Sequence, residues 1–255
     1  MRLTELILAG AVLCSATLAH AAAPEDRRSS IEARVETALR HLSRQEIDQA
    51  GDASARAWAA AKTLRGRSPE TVARAAAAHV AVMMRQGRIL EAYRLAIHEM
   101  IAFEQAVGMT SFFATDKQAA ILFSPESPWG DLRVLTMKLQ VGAACMEDPL
   151  LLDELSRIAL EEGAGKMMEP DPRMPAWLHT PVPSWPAGAM VPQSCAAVGV
   201  LMDISDDGRA KNVRSLFLFP HPAFAEEVDR LLRTWRFERG KPVKNMHYVF
   251  RWTVL

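Results

Sequence analysis

The chain has 255 residues, 49% hydrophobic and 24% charged, and its thirty basic side chains balance thirty acidic ones. That is ordinary globular composition, long enough for two small domains. A formal charge of zero argues against a nucleic-acid binder or a protein held to an anionic membrane surface.

The first stretch reads as a targeting segment. Arg2 precedes an apolar run from Leu6 to Ala19, and Ala19-His20-Ala21 has the small-x-small form of a cleavage site. A signal peptide over 1–21 is therefore expected, cut between Ala21 and Ala22, with export to the periplasm. The run is short and alanine-rich beside a membrane span of about 20 residues. An uncleaved inner-membrane anchor is the alternative. Cys14 would leave with the leader, and Cys145 and Cys195 would remain. An exported pair suggests a disulfide. Closing a loop of about 50 residues is worth roughly 4 kcal/mol in the chain-entropy picture. Two free thiols are the alternative.

From Ser29 to about Gly165 the helical period dominates, and residues 29–165 read as an all-α domain. Ser29 with Glu32 has the pattern of a capping box, followed by a stripe of Ile31, Val35, Ala38, Leu39 and Leu42. Asp52 is expected to open an alanine-rich helix ending near Gly66. Ser68-Pro69 opens the next, with Val72, Ala76, Val80 and Met83 in register and Gly87 as its stop. Leu90 to Val107, Asp116 to Phe123, and helices opened by Ser127-Pro128 and Asp148-Pro149 complete the set. Residues 86–92 resemble the turn of a tetratricopeptide repeat. However, Ala76 and His79 stand where that repeat wants larger residues, and no second copy recurs at a fixed period. A helical bundle and a degenerate repeat array both remain open. A repeat array would offer a concave protein-binding face.

Residues 166–182 read as a linker. Pro170, Pro172, Pro175 and Pro181, followed by Pro183 and Pro186, favour extended, semi-rigid chain.

The last stretch, 183–255, changes period. Val198, Val200, Met202 and Ile204 alternate with Gly199, Leu201 and Asp203, as in a strand with one buried face. Asp207-Gly208 supplies a hairpin turn, and a second strand runs from about Asn212 to Phe219, before Pro220. Phe224, Val228, Leu231, Leu232 and Trp235 form one helical stripe, entered through Pro222. Tyr248 to Leu255 is aromatic and β-branched, and reads as a third strand. The fold class is α+β. A helical domain precedes a small antiparallel sheet with one helix across one face, in the order β-β-α-β.

Six ordered features of this stretch resemble the TonB C-terminal domain family. They are Trp185-Pro186 with Ala189; the alternating strand; Asp207-Gly208 with Asn212-Val213; Phe224 with Glu227-Val228; Trp235-Arg236-Phe237-Glu238; and Gly240-Lys241-Pro242. The resemblance covers about 181–255. It implies periplasmic work and capture of an extended peptide, such as a segment of an outer-membrane receptor, added as a strand beside the last one. The candidate edge is Tyr248, Val249, Phe250, Arg251, Trp252, Thr253, Val254 and Leu255, expected to stay uncovered. The family's transducer also carries an N-terminal membrane helix with a Ser-x-x-x-His pair. Here Ser15 and His20 are five apart, which argues against energy transduction by this chain.

No catalytic or metal signature emerges. The seven histidines form no His-x-x-x-His pair, and there is no P-loop, Gly-x-Ser-x-Gly or dinucleotide fingerprint. The thirteen methionines are scattered, as core fillers are. The leading expectation is a non-enzymatic protein-binding protein of the cell envelope with no cofactor and no nucleic-acid partner. A scaffold that pairs with itself as a homodimer, and an enzyme with its site in the helical half, are the alternatives.

Overall fold

The computed structural model describes residues 24–109, 113–124, 126–145, 148–163, 173–186, 195–219 and 221–253. The expected signal peptide with Ala21 and Ala22, and Val254 and Leu255 of the candidate edge, lie outside them. Among the described residues, no helix is long and apolar enough to cross a membrane.

The N-terminal part is three antiparallel helical hairpins. The first joins α1 (Pro24–Ser43) to α2 (Ile47–Ala61), the second α3 (Pro69–Arg85) to α4 (Ile89–Ala106). After a short α5 (Asp116–Leu122), the third joins α6 (Pro128–Cys145) to α7 (Pro149–Glu161). The second and third hairpins open on Pro69 and Pro128, whose missing N–H is harmless in a first turn. The hairpins stack in chain order: α3 lies on α1 and α2, and α6 lies on α3 and α4. Of the two architectures left open by the sequence, this is a stacked array.

Two helix starts differ from expectation. α1 begins at least five residues before Ser29, so Ser29 and Glu32 lie inside the helix and form no capping box. Glu32 instead accepts from Arg28 at 2.8 Å, one turn away. α2 starts at Ile47, with Asp48 as the acidic residue of its first turn, and Asp52 lies in its interior. The chain reverses before α2 through Gln45, at φ 62°. The expected stop at Gly87 has positive φ, and Gly108 and Gly163, just past α4 and α7, do as well.

The C-terminal part holds a three-stranded antiparallel sheet of β2 (Cys195–Ile204), β3 (Ala210–Phe219) and β5 (Val243–Thr253), in the order β3-β2-β5. α8 (Ala223–Leu232) crosses one face. Phe224, Val228, Leu231, Leu232 and Trp235 are all buried there against Val198, Val200, Met202 and Ile204. Burying such side chains is worth about 1.5–3 kcal/mol each. The hairpin glycine is fixed by its neighbour: at φ 73°, a Cβ on Gly208 would stand 2.2 Å from the carbonyl oxygen of Phe237.

Part of the expected linker is built into this module. β1 (Trp177–His179) pairs with β4 (Arg236–Phe237) as a separate two-stranded ribbon. The Trp177 ring packs 5.3 Å from both Trp235 and Tyr248. Trp235 Nε1 donates to the Pro181 carbonyl at 3.1 Å, and Trp252 Nε1 to that of Ser184 at 2.9 Å. Indole N–H groups buried in apolar surroundings need such acceptors, and a proline-rich strap supplies them.

The sheet also differs from expectation. The alternating strand was expected to bury one face, but both are covered. Leu201 is buried and joins the helical core with Leu216, because α6 packs on β2 and β3. The sheet is thus the middle layer between α8 and the helical array.

Candidate functional site: the free edge of the last strand

Among the described residues β5 is an edge strand, paired within its sheet only with β2. From Met246 to Thr253 the register runs without a shift, Met202 opposite Met246 and Cys195 opposite Thr253. In an antiparallel ladder, alternate residues turn their backbone groups to opposite sides. The phase is set at the strand's start, where Phe113 bridges to Met246 and Ala114 N–H donates to the Asn245 carbonyl at 3.4 Å. The odd-numbered residues therefore face away from β2. Val249, Arg251 and Thr253 carry the outward N–H and C=O groups.

At its beginning this edge is covered, against expectation. Phe113 and Ala114, between α4 and α5, occupy its beginning. Asn245 fixes them there: its Nδ2 donates to the Ala114 carbonyl at 3.2 Å and to Asp116 Oδ1 at 2.9 Å. Beyond Met246, no strand of the described residues pairs with the edge.

The side chains of the predicted edge divide between the two faces. Phe250 and Trp252 are buried and Tyr248 packs beside them in the core under α8, with Trp252 5.0 Å from Phe224. His247, Val249 and Arg251 lie on the other face. Arg251 Nη2 donates to Gln140 Oε1 on α6 at 3.0 Å, and Val249 is half-buried. With both faces packed, the edge offers a partner mainly its backbone.

Cys145 closes α6 and Cys195 opens β2. Among the described residues there is no disulfide, and the side chains of these two lie outside them.

Sequence reasoning missed the junction beneath β5. His247 is buried between the rings of Phe123 and Trp129, centroids 6.0 and 5.4 Å away. Trp129 Nε1 donates to Glu104 Oε1 at 2.6 Å. Three buried atoms here, His247 Nε2, Glu104 Oε2 and Arg133 Nε, have no hydrogen-bond partner among the described residues. Burial, then the nearby Arg133 charge, holds the His247 imidazole well below its usual range. Burial pushes the Glu104 carboxyl up, against the pull of the Trp129 hydrogen bond and Arg133. The residues belong to three distant segments, so no local motif announces them. His79 and His98 have ordinary surroundings: His79 Nδ1 lies 2.9 Å from Ser54 Oγ, and His98 Nδ1 2.9 Å from Glu162 Oε2.

This geometry and sequence together define a small sheet-and-helix module with a backbone edge, and the chain contains a TonB-like region. It is 40% identical over 60 residues to Protein TonB of Escherichia coli K12, covering 24% of this chain and 25% of that protein. Protein TonB of Klebsiella pneumoniae is 38% identical over 60 residues, covering 24% of this chain and 25% of that protein. Protein TonB of Salmonella typhimurium is 37% identical over 71 residues, 28% of this chain and 29% of that protein. The chain thus spans about a quarter of the length of the curated relatives it matches. No protein-family profile matches it.

Proposed function

We propose that this is a non-enzymatic, exported protein of the cell envelope that holds an extended peptide of an envelope partner by strand addition along β5, in connection with TonB-type transport. The observation that carries the reading is the position of β5 at the sheet's edge, with the backbone of Val249, Arg251 and Thr253 unpaired by any described strand. Main-chain hydrogen bonds on such an edge supply affinity without demanding particular side chains. The TonB-like region supports the same reading, and a segment of an outer-membrane receptor is the partner it favours. With Phe113 across Met246, about five residues of edge are left for the guest strand.

The test is in-cell cross-linking from a photoreactive residue at position 249, with fractionation of the same cells. Capture of an envelope protein, lost on Thr253→Pro, is the expected result. Proline there deletes an outward N–H and no ladder bond, so the fold survives. A partner that still cross-links to Thr253→Pro overturns the reading. Fractionation also separates the soluble periplasmic form from the anchored alternative. A bond between Cys145 and Cys195 would tie α6 to β2, which already touch. Thiol titration in denaturant decides it, and two free thiols would remove it.

A further inference from the structure

We infer that the groove between α1, α3 and α6 is a second peptide-binding site, taking a short extended segment with a basic residue at one end, an acidic residue about 10 Å away and apolar side chains between. These are the first helices of three successive hairpins, so the groove is the concave side of the stack. It encloses about 620 Å³ and runs into a neighbouring hollow of about 390 Å³ that shares Leu39, Ala81, Leu135 and Lys138.

The depth comes from small residues. Ala77, Ala78 and Ala81 of α3 form the floor, between Val35 of α1 and Leu135 of α6. Leu39 at the groove wall is 45% exposed, an apolar side chain left to water by the fold itself. Apolar side chains of a guest would cover it.

Charge gives the groove a direction. Residue numbers rise along all three walls from one hollow to the next, so the helices run the same way. At the early end stand Glu36 of α1 and Asp131 of α6. Neither makes a hydrogen bond or ion pair with a described residue, whereas nearby Glu32 is held by Arg28 and Arg74 by Glu70. Asp131 is exposed on the groove wall, so a guest's basic group can reach it. At the late end Lys138 and Arg85 are likewise free among the described residues. Asp131 and Lys138 are two turns apart on one helix, about 10 Å. An extended peptide covers that distance in about three residue steps of 3.3 Å. Two like-charged ends would suit a polyanion or a polycation. Opposite ends with an apolar floor suit a peptide of mixed charge.

Fluorescence polarisation on the full chain tests this with twelve-residue labelled peptides whose cores are Lys-Leu-Leu-Glu, Glu-Leu-Leu-Glu or Lys-Gly-Gly-Glu in Gly-Ser flanks. The first should bind about fivefold or more tightly than the second, the effect of roughly one ion pair, and the third should bind most weakly. The double variant Glu36→Lys with Asp131→Lys, checked for its helical circular dichroism, should reverse the preference between the first two. Val249→Pro should change nothing, which separates this groove from the β5 edge. Equal affinities, a preference that survives the double charge reversal, or binding lost on Val249→Pro would each overturn the inference.

Discussion

Asn245 on β5 donates through Nδ2 to Asp116 Oδ1 on α5 at 2.9 Å, across 129 residues of sequence. The same residue sits at φ 53°, and its N–H donates to Asp203 Oδ1 at 2.9 Å. One side chain therefore joins the sheet to the helical array at a backbone position that Asn tolerates better than most residues. Asn245→Ala should lower stability by about 2 kcal/mol, from two lost side-chain hydrogen bonds and a strained φ. Asn245→Gly keeps the backbone easy and should recover part of that. Urea unfolding of the three proteins checks the ordering; equal midpoints for the alanine and wild-type chains would contradict it.

Gly208 makes a sharper prediction. Its N–H donates to the Ser205 carbonyl at 2.8 Å and its own carbonyl accepts from Phe237 N–H at 2.8 Å. Gly208→Ala would drive a Cβ into the Phe237 carbonyl at positive φ. A loss of about 2 kcal/mol or more is expected, read as a lower urea midpoint. The altered packing should also shift the emission of the Trp177 and Trp235 pair beside Phe237.

These two residues also mark what the sequence makes legible. Asp207-Gly208 is a local signal, since the turn's φ requirement is met by the residue that makes it. The helix starts at Pro69, Pro128 and Pro149 and the stripe from Phe224 to Trp235 are legible for the same reason: caps and periods lie within a few residues of each other. The β1–β4 ribbon is not, because two- and three-residue strands have no period and Trp177 is held by rings about sixty and seventy positions away. Nor does alternation in β2 reveal that Leu201 is buried. A small apolar second face reads alike whether water or α6 lies against it. The candidate edge was visible as a terminal apolar strand. Its partial closure by Phe113 is a non-local contact that no spacing encodes.

The pH response should follow His247. In the unfolded chain its imidazole takes up a proton near pH 6.5. In the folded chain burial and Arg133 prevent this until well below that value. Below pH 6.5 the unfolded state therefore binds more protons, and stability falls on acidification by up to about 1.4 kcal/mol per pH unit for this group. Above pH 7 its effect is constant. His79, also lowered by burial, acts in the same direction. Glu104 acts oppositely, since its raised carboxyl loses stability as pH climbs from about 4.5 to its folded value. His247→Gln should flatten the loss between pH 6.5 and 5.5, leaving the smaller share of His79. An unchanged slope in urea titrations at the two pH values would rule His247 out.

The Trp129–Glu104 pair supplies the last prediction. Both are buried, with Trp129 2% and Glu104 3% exposed. Glu104 Oε2 lacks a partner among the described residues, so the indole donor is the main support there of that carboxyl group. Trp129→Phe removes the donor and some ring volume, and should cost about 3 kcal/mol. If the cost came from packing alone, adding Glu104→Leu would lower stability further. If it comes from an orphaned carboxyl, Glu104→Leu in the Trp129→Phe background removes the group that needs desolvation and should restore about 1–2 kcal/mol. A double-mutant cycle by urea unfolding reads the sign of the coupling directly. The orphaned carboxyl predicts that Glu104→Leu is less damaging, or even stabilising, once Trp129 is gone. Additive losses would show that the hydrogen bond contributes little and that the junction beneath β5 is held by ring packing among Phe123, Trp129 and His247.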